Sequence, residues 1–210
     1  MTYPYAPAGL TGQPFFTPND LANRLQIDPS TINTATAEQL AQLASDAVRR
    51  EIRQTVDYVE DDVITLWGDG GKMLILPERP VVDVTSVVLA GQELVPAQTD
   101  STSTMLMYDW RPWGTIRRVV YGGSFYASQL YFSWPEGVPV EVTYSHGYQT
   151  PPSELIKVAI DLAAAVYSNP EGHDSERVGW VEWATKAVSL DLLDAQKYSL
   201  DLYRNVALTL

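Results

Sequence analysis

The spacing of apolar residues changes twice along this chain, from a helical period to a strand period near Asp57 and back again after Thr150-Pro151-Pro152, and that double change constrains the fold more than any other feature. Before the first change, Leu40, Leu43, Ala47, Val48, Ile52 and Val56 recur at helical intervals behind Thr36-Ala37-Glu38-Gln39, a capping-box pattern that predicts a helix start. A shorter helix precedes it. Thr17 is placed to cap, Pro18 takes the first helical position, Asp20 lies near the positive end of the dipole, and Asp28-Pro29 stops it.

Beyond Asp57 the pattern predicts strands. Val63-Ile64-Thr65-Leu66-Trp67, Gly68-Asp69-Gly70-Gly71 and Lys72-Met73-Leu74-Ile75-Leu76 predict a β-hairpin. Further strands are expected over 81–89, 93–96, 105–109, 115–120, 130–134 and 138–145. Helical spacing returns with Leu155, Ile156, Ala159, Ile160, Leu162, Ala163 and Val166, apolar on nearly all sides, which predicts a central helix ending at Ser168-Asn169-Pro170. Residues 178–183 are expected to be extended. Ser189 is placed to cap a last helix with a stripe of Leu192, Ala195, Leu202 and Val206, Tyr203 beside it and Ser199 interrupting it.

The expected class is therefore α+β: a bundle core of about four helices, a mid-chain antiparallel β insertion and extended terminal arms. The boundaries are 1–16 for an N-terminal arm, 17–56 with 150–210 for the helical core, and 57–149 for the β-rich insertion.

Chemistry with a sequence signature is scarce. The chain has no cysteine, which removes disulfides, thiolate metal sites and cysteine nucleophiles. Gly122-Gly123-Ser124-Phe125-Tyr126 starts like a nucleophile elbow, but Tyr126 stands where the second glycine belongs. Gly71-Lys72-Met73 lacks the hydroxyl residue that a phosphate loop needs for magnesium. His146 and His173 have no partner at metal-binding spacing, and Asp57, Glu60, Asp61 and Asp62 lack the alternation of a calcium loop, so they are expected to form a solvated acidic junction. No catalytic residue, metal or cofactor is expected. With 26 acidic residues against 14 basic ones, the net charge of -12 opposes phosphate binding, so any DNA nearby would be repelled. Residues 1–16 lack the basic start and apolar run of a signal peptide, and no apolar stretch reaches membrane-spanning length, so a soluble, unexported protein is expected.

What remains are residues suited to contact. Tyr3, Tyr5, Phe15 and Phe16 stand in a proline- and glycine-rich start that suits an extended arm, or lie on the chain's own core. Arg49, Arg50 and Arg53 give the second helix a basic face, either solvated or meeting the acidic surface of a neighbour, with Asp46 one turn before Arg50 in ion-pair orientation. Trp110 and Trp113 belong to an aromatic-rich segment that suits a protein interface, a core or, with Trp134, a carbohydrate-stacking surface. Tyr198, Leu202 and Tyr203 are the corresponding C-terminal anchors.

Several strings in order resemble the head-to-tail connector (adaptor) proteins of long-tailed bacteriophages, especially those of actinobacteria. They are Asp61-Asp62-Val63-Ile64-Thr65-Leu66 with Gly68-Asp69-Gly70-Gly71, Leu74-Ile75-Leu76-Pro77-Glu78-Arg79-Pro80-Val81 with Val84-Thr85-Ser86-Val87, and Val140-Glu141-Val142-Thr143-Tyr144-Ser145-His146-Gly147-Tyr148 before Pro151-Pro152. Ser175-Glu176-Arg177-Val178-Gly179 and Leu200-Asp201-Leu202-Tyr203-Arg204 resemble the closing segments. The resemblance implies a non-enzymatic structural protein of the virion, a dodecamer ring at the head–tail interface, made in the host cytoplasm. Its implied partners are itself, the portal protein and the next neck or tail protein (a stopper or tail terminator), with genomic DNA passing through the channel and no membrane. Another neck component, a head-completion or tail-terminator protein, is the alternative, and an aromatic-rich carbohydrate-binding module is a second.

Overall fold

The computed structural model describes residues 12–97, 107–121, 129–169, 175–178, 181–184, 192 and 194–204. The fold is α+β, and the chain divides into two compact units. One is helical and comprises the described residues up to Asp57 with Thr150–Arg204; the other is Tyr58–Gln149 and is built of strands.

In the helical unit α1 spans Pro18–Leu25 and carries a full capping box: Asp20 N donates to Thr17 Oγ1 at 3.3 Å and Thr17 N to Asp20 Oδ2 at 2.8 Å. Gln26, in left-handed conformation, ends it. α2 spans Thr34–Ile52 and starts earlier than its sequence suggests, because Asn33, not Thr36, supplies the cap by accepting from Thr36 N at 3.2 Å. Ala37, Leu40, Ala41, Ala44, Val48 and Ile52 form its buried face. It packs along α3 (Ser153–Ser168), whose Leu155, Ala159, Leu162 and Ala163 are buried. Alanines on both helices let the backbones approach closely. Leu43, expected within the apolar stripe of α2, lies on its outer side and is exposed.

α4 spans Asp194–Leu200 and passes into a 3-10 turn, Asp201–Tyr203. Leu192 and Leu200 are buried, whereas Ala195 and Leu202 are exposed. The expected stripe breaks because the tighter turn after Leu200 rotates Leu202 away from the face that an uninterrupted α-helix would continue. Ser189 and Val206 lie outside the described residues.

The β unit holds nine strands among the described residues: β1 (Val59–Trp67), β2 (Met73–Ile75), β3 (Val81–Leu89), β4 (Gln92–Glu93), β5 (Val95–Pro96), β6 (Met107–Arg111), β7 (Thr115–Tyr121), β8 (Gln129–Phe132) and β9 (Pro139–His146). They form two sheets. One runs β1-β9-β3-β4; the other runs β2-β7-β6-β5, with β8 also paired to β7. All pairings are antiparallel except β5 with β6. Alternate residues turn inward to one core, in which Val84, Val87, Val142 and Tyr144 of the first sheet meet Leu74, Tyr108 and Ile116 of the second, with Trp134 among them.

The hairpin expected over 63–76 does not form, for β1 and β2 belong to different sheets. The glycine segment between them is bonded instead to the turn before β9: Gly68 N donates to Val138 O, Gly70 N to Trp134 O, and Trp134 N to Gly71 O at 2.7 Å. A Cβ on Gly68 would stand 2.0 Å from Pro135 O, so this crossing from sheet to sheet requires glycine there. In the helical unit's range, β10 (Ser175–Val178) and β11 (Val181–Ala184) pair antiparallel, so the segment expected to be extended over 178–183 is divided between two strands, with residues 179 and 180 outside the described residues.

Candidate assembly surfaces

The contact residues read from the sequence divide into those that hold the chain to itself and those left outward. Phe15 and Phe16 are of the first kind and are buried. Phe15 N donates to Ser45 Oγ at 2.9 Å, and Ser45 Oγ donates in turn to Ala41 O. The Arg49 guanidinium lies 4.3 Å from the centre of the Phe15 ring. Tyr3 and Tyr5 lie outside the described residues.

Arg49 is only 1% exposed and offers no surface to a neighbour. Its guanidinium meets Asp57 through two nitrogens, at 2.9 Å for the shortest contact, Asp46 at 3.1 Å, and the carbonyl of Gln13. Several donors of the fork are thus engaged by oxygens, which is how a buried guanidinium offsets its lost hydration. Asp46 therefore pairs with Arg49 and not with Arg50. Gln42 Nε2 donates to Gly12 O, and a Cβ on Gly12 would stand 1.9 Å from Asp57 Oδ2. The cluster clasps the segment before α1 to α2.

The C-terminal anchors also separate. Tyr203 donates its hydroxyl to Glu154 at 3.0 Å, and Arg204 pairs with Glu51 and, at 3.1 Å, with Asp201. Glu154 is held below the usual carboxylate range, first by a backbone N–H and then by Tyr203. Tyr198 and Leu202 are left outward at 80% and 91% exposure.

In the β unit Trp110 is half-buried against the core, and Trp134 is fully buried with Nε1 donating to Ile116 O at 3.4 Å. Trp113, in the turn between β6 and β7, stands outward, at 59% exposure. The three tryptophans read as a stacking surface thus have three different surroundings.

The sequence reading missed a further surface. On β1 the exposed residues Val63, Thr65 and Trp67 alternate outward opposite Thr143, Glu141 and Pro139 of β9. An alternation with apolar residues on both faces was the available signal. At the start of β1 the acidic residues are tied more than expected: Asp57 holds Arg49, Asp61 accepts from Thr85 Oγ1 at 2.8 Å, and Asp62 Oδ2 lies 3.3 Å from His146 Nε2. The His146 contact comes from cross-strand register, which sequence spacing hides.

Among the described residues no group of three or more His, Cys, Asp and Glu side chains could hold a metal, and no helix is long and apolar enough to cross a membrane. A shallow groove of about 550 Å³ between α1 and α3 has Ile156 and Ile160 on its wall and the Arg24–Asp161 ion pair, 2.7 Å, beside it.

No family model matches the sequence, and no curated protein matches it. Solved structures that are similar to it come from gene transfer agent (GTA) particles. They include the neck of a native GTA particle computed with C12 symmetry, at 16% identity over 96% of this chain and 94% of that chain, TM-score 0.47. The neck of an empty GTA particle computed with C6 symmetry is 16% identical over 96% of this chain and 95% of that one, TM-score 0.45. The virion of a native GTA particle gives the same 16%, 96%, 95% and 0.45.

Proposed function

We propose that the chain is a structural subunit of the neck of a phage-like particle, a head-to-tail adaptor that forms a ring between portal and tail and continues the DNA channel. The observation that carries this reading is the outward placement of large apolar side chains in both units, Tyr198 and Leu202 in one and Val63, Trp67 and Trp113 in the other, on a chain of net charge -12. Aromatic side chains are enriched at protein interfaces, and outward Tyr198, Trp67 and Trp113 suit contact with a partner better than a substrate cleft. The ordered strings that resemble the connector family support it independently, and they imply twelve subunits, the portal and the next neck or tail protein as partners.

Acidity suits the wall of a channel, because phosphates slide past carboxylates without being held. The mechanism is geometric: subunits present matching surfaces, and no bond is made or broken. Localisation of the tagged chain in purified particles by electron microscopy tests the proposal. Density at the head–tail junction directly beneath the portal is the expected result. A position at the tail end of the neck would establish the tail-terminator alternative, and absence from particles would reject both.

A further inference from the structure

Several of the chain's arginines are spent internally. Arg24 pairs with Asp161, Arg49 with Asp46 and Asp57, Arg111 with Asp109, and Arg204 with Glu51 and Asp201. Arg50 and Arg53 are exposed and have no ion-pair partner among the described residues. Arg50 lies in the last turn of α2, Arg53 is its left-handed C-cap residue, and exposed Leu43 lies two turns before Arg50. The result is a small basic and apolar strip.

The sheet β1-β9-β3-β4 has the opposite character. Its four strands contain Glu60, Asp61, Asp62, Asp83, Glu93 and Glu141 and no lysine or arginine. On the outer face Glu141 pairs across to Thr65 on one side and Val88 on the other, and Val88 pairs with Glu93. Val63 and Trp67, at 58% and 48% exposure, lie on the same face. This is an acidic surface with an aliphatic side chain and an indole.

We propose that the outer face of this sheet on one copy receives the C-terminal turn of α2 from a second copy. Arg50 and Arg53 reach Glu141 and Glu93, with a guanidinium over the Trp67 ring and Leu43 against Val63. Charge selects this occupant. Two acidic faces repel one another, which excludes pairing of the sheet with its own twin, and the phosphates of DNA are repelled in the same way. The two patches differ, so the contact is heterologous and propagates head to tail, the geometry that closes a ring. The inference rests on the ring-forming reading and specifies which surfaces meet.

Because the chain has no cysteine, two full-length single-cysteine variants, Arg53→Cys and Thr65→Cys, can be mixed and mildly oxidised. A disulfide joining the two variants can form only between copies. The mixed product is expected in about tenfold excess over either homodimer, falling as salt rises. Arg50→Glu with Arg53→Glu should abolish assembly, and mixing with a Glu93→Lys, Glu141→Lys chain should restore it, circular dichroism showing each variant folded. A statistical mixture, a preferred Thr65→Cys homodimer, no cross-link, or no restoration by the reversed pair overturns the proposal; loss of the variants from particles without a cross-link assigns the strip to another protein and overturns it equally. Microscopy of particles answers separately, so this contact can fail while the neck position stands, or the reverse.

Discussion

The two units hold themselves together by different chemistry. In the helical unit the facing surfaces of α2 and α3 are rich in alanine, and the long-range ties include polar ones: Arg24 to Asp161, Arg49 to the Gln13 carbonyl, Arg204 to Glu51, Tyr203 to Glu154. In the β unit Trp134, Tyr108 and Tyr144 fill the core, and ladder hydrogen bonds fix the frame. Small side chains bring backbones close but bury little area, whereas each large ring buries roughly 150–250 Å². The helical unit should therefore respond to loss of charge and the β unit to loss of volume.

Trp134→Ala is the largest test of that contrast. It empties a fully buried site and removes the bond to Ile116 O, and should cost about 3–5 kcal/mol in urea unfolding. A loss below about 1 kcal/mol would mean that the core collapses around the gap and that volume does not govern this unit. Arg49→Met follows. It leaves Asp46 and Asp57 without their cation, but both carboxylates are partly open to water, so the cost should be about 2 kcal/mol. Arg50→Met, on the exposed side of the same helix, should change stability by less than about 0.5 kcal/mol. Equal effects from the two would break the assignment of Arg49 as an internal clasp.

That pair of arginines also shows what was legible in the sequence. Adjacency in the chain grouped Arg49 with Arg50, yet successive helical residues point about 100° apart. Ala41, Ser45 and Arg49 follow one another at intervals of four along the buried side, a signal present but masked by the charge of the last member. Helices α1 and α3 and strand β3 were legible because capping residues and periodicity are local. The partnership of β1 with β9, the bond of Gly68 to Val138 and the contact of His146 with Asp62 were not. Each joins segments far apart in sequence, and the turn-like Gly68-Asp69-Gly70-Gly71 favours a hairpin until those segments compete for its hydrogen bonds.

Alkali should sharpen the contrast from the β side. Burial pushes the Tyr108 phenol up to about 12, with the charges of Asp83 and Glu93 adding to it; burial raises Tyr144 as well, followed by Asp62 and Glu78. A group whose folded pKa lies above its ordinary value of 10.0 contributes stability that is complete below that value and is lost as pH rises through the folded one. The β unit should thus weaken from about pH 10 to about 12, with late phenolate absorbance appearing together with unfolding. In Tyr108→Phe, which keeps the ring but loses the bond to Val84 O, the alkaline loss should be smaller. An unchanged alkaline limb would assign the transition to other groups.

The smallest expected effect lies at the end of the helical unit. Tyr203→Phe removes the hydrogen bond to Glu154 and leaves Arg204 paired with Glu51 and Leu200 buried, so the global unfolding midpoint should hardly move. The change should appear locally, as faster amide hydrogen exchange over 194–204. Its pH dependence has a definite sign. Because Glu154 is held below its ordinary value, the stabilisation it lends is complete above that ordinary value and disappears as pH falls through the depressed one. The Tyr203 hydroxyl contributes to that depression by donating to the carboxylate, so the exchange difference between wild type and Tyr203→Phe should be full at neutral pH and shrink on acidification. A difference independent of pH would show that the phenol acts by packing, and the helical unit would then depend at this end on volume, as the β unit does.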